Sequence, residues 1–127
     1  MKITLLLTLF ISSYSVYSKD YSEYDKKAGL YYIQSKTYPL IFRKCGMLFP
    51  ELNDAFEIGL VKWNKTNEAI IIHGKILSQE DTGMNDKELE KHMTDYVQSL
   101  SKDMKKQSKN ELKEGCGEAL IYLITES

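Results

Sequence analysis

Apolar residues recur along most of this chain at steps of three and four, the spacing of helices that bury one face. From Tyr24 the positions Ala28, Tyr31, Tyr32 and Ser35 keep that step. Pro39 predicts a break near Tyr38, because the residue before proline disfavours the helical region. Leu40, Ile41, Lys44, Cys45 and Leu48 then predict a short helix with Cys45 on its inner face. Pro50 ends that helix and starts the next, since proline is tolerated in a first helical turn.

The most regular pattern follows. Leu52, Phe56, Gly59, Trp63, Asn67, Ile70, Gly74 and Leu77 form a narrow seam, widened by Leu60 and Ile71, that predicts one long helix. Glu57, Lys62, Lys65 and Glu68 fall off the seam. Gly59 and Gly74 each cost about 1 kcal/mol against Ala in a helix interior, a cost that close approach of a neighbouring helix would offset. Ala69-Ile70-Ile71-Ile72 competes as a strand, because consecutive β-branched residues favour sheets; the continuing seam favours helix. Trp63 and Asn67, four residues apart, share one side and read as architecture, the buried amide needing a partner.

Ser78 to Asp86 reads as a turn, with Gly83 suited to positive φ and Asn85 or Asp86 suited to capping a helix. From Lys87 a stripe of Leu89, Met93, Tyr96, Leu100 and Met104 predicts the next helix, with His92 and Val97 beside it. The polar stretch Lys102 to Asn110 separates it from a last helix, capped by Ser108 or Asn110, whose face carries Leu112, Cys116, Ala119, Leu120 and Leu123. Gly115 and Gly117 flank Cys116 and leave room for the first cysteine helix. The prediction is all-α, a small four- to five-helix bundle.

The first residues follow a different rule. Met1-Lys2 precedes an apolar stretch from Ile3 to Ile11, then serines and Val16-Tyr17-Ser18. One positive charge, about nine apolar residues and a small residue at a cleavage point describe a signal peptide. The stretch is too short for a bilayer span of roughly 20 residues, so no stable membrane insertion is expected after cleavage. Residues 1–18 are read as the signal and 19–127 as a single helical domain. The localisation that follows is periplasmic, or secreted if the source is not Gram-negative.

Export gives the two cysteines a meaning. In an oxidising compartment a lone pair in a small domain bonds, so Cys45 and Cys116 are expected to form one disulfide closing the bundle. Chain-entropy reasoning assigns such a closure about 4 kcal/mol. The alternative, a reactive thiol, has no His or second Cys beside either position.

Composition narrows function mainly by exclusion. The 127 residues carry Lys+Arg 17 against Asp+Glu 18, without the basic excess of a nucleic-acid binder. Two histidines, His73 and His92, show no HExxH and no helical pair, so no metal is expected. Neither has the nucleophile and orienting acid of a triad in sequence, and both read as surface or seam-edge residues. No phosphate-binding glycine loop occurs, Gly115-Cys116-Gly117 lacking its context, and no cofactor is expected. Asn64-Lys65-Thr66 fits a glycosylation sequon that matters only in a eukaryotic secretory pathway. Glu80-Asp81 and Glu88/Glu90 read as a solvated turn and a helix start where acids suit the dipole. A sharper alternative for the turn is a recognition loop of Gln79, Glu80, Asp81, Thr82 and Met84 entering a partner's cleft.

An exported chain with Cys45-Gly46-Met47-Leu48-Phe49-Pro50, a following helix with Ala55, Trp63 and Asn67, and a second cysteine at Cys116 on the last helix resembles small helical periplasmic proteins of Gram-negative bacteria. The best-described of these are the Rap/Tai immunity proteins of type VI secretion amidase effectors, which the chain resembles over roughly Leu40 to Leu123. The resemblance implies a disulfide-bonded homodimer without catalysis that binds a peptidoglycan amidase and blocks its Cys-His cleft with a loop between helices. Here that loop would be Ser78, Gln79, Glu80, Asp81, Thr82, Gly83 and Met84. The alternatives are a small-ligand-binding or envelope-stress helical protein, suggested by Tyr 9 and Met 5, and a hydrolase using His73 or His92.

Overall fold

The computed structural model describes residues 21–125, and the segment read as an export signal lies outside them. Among the described residues there are five α-helices: α1 (Glu23–Leu48), α2 (Asn53–Thr66), α3 (Glu68–Thr82), α4 (Asp86–Lys105) and α5 (Lys109–Thr125), with a 3-10 turn at Pro50–Leu52 between α1 and α2. The described chain has no strand. Among the described residues no helix is long and apolar enough to cross a membrane.

The central element is α1. It is buried on more than one side through its middle, from Tyr31 to Gln34 and again around Thr37, Tyr38 and Leu40 to Phe42. Pro39 does not break it, contrary to the sequence expectation. Proline in a helix interior costs roughly 3 kcal/mol, but the residues on both sides are packed into the core and would all be exposed by a break. Pro39 itself is exposed, on the side where water can meet the carbonyl that loses its donor.

Helices α2 and α3 run antiparallel to α1. The contacts step down one and up the other: Phe42 stacks on Phe56 at 5.4 Å, Tyr38 and Tyr31 lie 5.1 and 5.4 Å from Trp63, and Asp25 meets His73 at 2.8 Å. The expected single helix from Leu52 to Leu77 is interrupted at Asn67, at φ −106° and ψ 14°. Its backbone N–H and its Nδ2 both donate to the Trp63 carbonyl, at 3.0 and 2.9 Å. An Asn side chain competes with the helical ladder in this way. The helix resumes at once, with Ile71 N–H donating to the Asn67 carbonyl at 3.0 Å. The seam nevertheless stays turned inward across the interruption: Phe56, Trp63 and Gly74 are buried, and Ile70 and Ile71 pack against the core.

The turn expected from Ser78 to Asp86 is shorter than the sequence suggests. Helix α3 continues to Thr82, and only Gly83, Met84 and Asn85 connect it to α4. Buried Ser78 donates to the Gly74 carbonyl at 2.8 Å and Thr82 to the Ser78 carbonyl at 2.7 Å, so these hydroxyls back-bond within the helix rather than open a loop. Gly83 takes φ 70° as the helix C-cap, and Asn85 with Glu88 forms a capping box. Ser108 and Glu111 exchange the same pair of bonds before α5.

Helix α4 places Leu89 and Met93 against Tyr32 and Ile33, and Leu100 and Met104 in the main core. Helix α5 runs back along α1. Cys116 bonds Cys45 with Cα atoms 5.5 Å apart, Tyr122 lies 6.1 Å from Tyr38, and Leu123 lies against Gly59 of α2. Gly117, expected to permit close approach, is exposed with open space beside it.

Candidate functional site

The seven residues Ser78 to Met84 form a folded corner rather than a protruding loop. Ser78 is buried; Gln79, Asp81 and Met84 are half-buried; Glu80, Thr82 and Gly83 face solvent. Met84 packs against the cluster of Tyr32, Ile33, Leu89 and Met93. Its backbone N–H donates to Thr82 Oγ1 at 3.2 Å. The ends are anchored too. Tyr21 donates its hydroxyl to Asp81, and Gln79 Nε2 donates to Asp86 Oδ1 at 2.8 Å.

Charge concentrates at this corner. Lys75 Nζ lies 3.2 Å from Asp86, and the Gln79 amide together with Lys75 holds that carboxyl below its ordinary pKa. Around the edge, Lys36 of α1 reaches Glu90 of α4 at 3.1 Å. The Tyr32 hydroxyl beneath is pushed up to about 12 by burial, then by the negative charge of Glu90 and Asp86. A groove of about 240 Å³ between α1 and α4 continues from Glu90, lined by Lys36, Met93, Thr94, Val97 and Gln98.

These long-range partners were not readable in sequence. Lys36 and Glu90 are 54 positions apart and Tyr21 and Asp81 are 60 apart, and no local spacing signals either pair. Asp86 carried a signal as a cap candidate, but Asn85 is the cap and Asp86 instead gathers Gln79 and Lys75.

The two histidines separate. His92 is exposed on α4. His73 Nε2 meets Asp25 Oδ1 at 2.8 Å, and its ring lies 5.3 Å from Tyr24. That pair ties the first turn of α1 to α3. Cys45 and Cys116 are joined, so neither is a thiol nucleophile. Among the described residues no group of three His, Cys, Asp or Glu could hold a metal ion.

No family model, curated protein or solved structure matches the chain. The functional reading therefore rests on the residues themselves and on the resemblance in the cysteine and helix pattern.

Proposed function

We propose that the chain is an exported immunity protein that binds and neutralises a cell-wall-degrading enzyme, a peptidoglycan amidase delivered by type VI secretion. It would act by occupation of the enzyme's cleft, with no cofactor and no bond-making of its own. The supporting observation is the corner from Gln79 to Asp86. Its exposed acidic side chain Glu80 sits on backbone already fixed by the Ser78, Thr82, Gln79 and Asn85 hydrogen bonds. A surface ordered before contact loses less side-chain and backbone entropy on binding.

A disulfide-closed scaffold suits an oxidising envelope, where the target enzyme works. The second reading, a small-ligand carrier, draws on the α1–α4 groove and its Met93 and Val97 lining. At about 240 Å³ that groove is below the roughly 300–1,000 Å³ of ordinary ligand sites, so the binding-protein reading is preferred.

Co-expression in the periplasm with exported amidases from the same genomic neighbourhood tests the proposal. Protection from lysis and a co-purifying complex are expected. Glu80→Lys should reduce protection while leaving thermal stability unchanged. No protection and no complex with any of them would reject the reading.

A further inference from the structure

The outer side of α3 carries a pattern the bundle does not use. Glu68, Ile72, Ile76 and Glu80 stand at consecutive steps of four and are all exposed. Side chains four apart are neighbours on a helix, so the four form one continuous ridge. Ile72 and Ile76 at its centre are 52% and 46% exposed. Gly74, buried against Ala28 of α1, stands on the opposite side of the helix. Tyr24 of α1 widens the ridge. It is 54% exposed, and its ring lies 5.3 Å from that of His73, three residues before Ile76.

The two acids that close the ridge keep their charge available. Two basic side chains of the same helix are engaged elsewhere, Lys75 with Asp86 at 3.2 Å and His73 with Asp25 at 2.8 Å. Lys65, three positions before Glu68, lies beyond the interruption at Asn67. Among the described residues no salt bridge involves Glu68 or Glu80.

We infer that this ridge is a second contact for the enzyme, outside its cleft. It fits a surface that carries an apolar patch between two basic side chains about 18 Å apart, the span from Glu68 to Glu80 at 1.5 Å per residue. The inference rests on the proposed inhibitor function and adds a site to it. Glu80 belongs to both the ridge and the α3–α4 corner, so the two surfaces are continuous. With Glu80 at the cleft, Glu68 stands about 18 Å back along α3, over enzyme surface beyond the rim. An apolar centre with a charged rim is the anatomy of a protein interface. Rim charges fix register and speed association. A ridge closed by acids at both ends selects a basic partner surface and rejects an anionic lipid surface or a second copy of itself.

Affinity for the amidase captured in the co-expression experiment tests the inference. Ile76→Asp and Glu68→Lys should each raise the dissociation constant at least about tenfold, with unchanged thermal midpoints. Ile58→Asp on α2, at a position 70% exposed, should change it less than about twofold and controls for loss of any exposed apolar side chain. Added salt should weaken the parent complex more than the Glu68→Gln complex. Full affinity in Ile76→Asp and Glu68→Lys, with binding lost in Glu80→Lys, confines the contact to the corner; it overturns the ridge and leaves the inhibitor function standing. An equal loss in Ile58→Asp and Ile76→Asp also overturns the ridge. The absence of a complex with any amidase rejects the inhibitor function and the ridge together.

Discussion

Gly74 of α3 lies against the backbone of Ala28 in α1, so that a Cβ on Gly74 would overlap the Ala28 carbonyl and crowd the Tyr32 Cβ. Ala28 is fully buried and both contacts belong to one rigid helix, which leaves nothing flexible to move aside. Intrinsic preference points the other way, because Ala is favoured over Gly in a helix by about 1 kcal/mol. Overpacking against backbone costs about 1–3 kcal/mol or more and should win. Gly74→Ala is expected to destabilise by about 1–2 kcal/mol net. Gly117→Ala, with open space and exposure, should stabilise by about 0.5–1 kcal/mol. Urea denaturation of the two variants reads both signs; equal effects would contradict the packing.

Cys45 and Cys116 join the central helix to the last one across 71 positions. Helix α5 otherwise holds through Ala119, Leu123 and a few half-buried side chains. Opening the disulfide restores chain freedom to the unfolded state, a difference of about 4 kcal/mol for a loop this long. Against a net stability of about 5–15 kcal/mol that is a large share. Reduction, or Cys45→Ser with Cys116→Ser, should therefore shift the urea midpoint strongly downward. Trp63 is fully buried between Tyr31 and Tyr38 and its fluorescence reports the transition. A midpoint unmoved by reductant would mean the bridge adds nothing.

Thr37 and Trp63 are both fully buried, and Thr37 Oγ1 and Trp63 Nε1 have no hydrogen-bond partner among the described residues. A buried hydroxyl without a partner carries its desolvation cost of about 1–3 kcal/mol. Thr37→Val keeps the shape and removes that group, so it should stabilise by about 1 kcal/mol. Trp63→Phe removes an unpaired N–H as well, but it also empties part of an aromatic core. Cavity loss of about 1–3 kcal/mol should dominate there and lower stability. Thermal melts distinguish them: a Thr37→Val variant less stable than the parent would mean the hydroxyl is satisfied.

The helical bundle and its inner faces were legible because burial repeats at helical spacing. Phe56, Trp63, Leu89, Met93, Leu100, Met104, Cys116 and Leu123 all stand where that spacing placed them inside. The helix start at Asn85 was legible through local capping chemistry. What misled were local signals that distant packing overrides. Pro39 breaks an isolated helix but not one clamped on both sides by core residues. The polar letters of Ser78 to Thr82 suggest a turn, yet their hydroxyls fold back onto α3. Asn67 was seen as a buried amide needing a partner, but not as the point where it would interrupt the helix. Ile58 and Val61 were outside the seam from the start, and only the fold shows how exposed that leaves them.

Tyr32 and Tyr96 make the fold sensitive to alkaline pH. Burial, then the charges of Glu90 and Asp86, pushes the Tyr32 hydroxyl to about 12. Burial, then Asp103, does the same to Tyr96. In the unfolded chain both ionise near the ordinary value of 10.0. The folded state therefore keeps protons that the unfolded state releases, so stability falls with rising pH once the unfolded tyrosines ionise. Their contribution is fully present below about pH 10 and lost between about pH 10 and 12. Denaturation midpoints should hold steady below that window and drop through it. Tyr32→Phe removes one of the two groups and should make the drop shallower, while tyrosinate absorbance of the folded protein lags behind that of the unfolded chain. A Tyr32→Phe variant with the same alkaline slope as the parent would assign the loss to other groups.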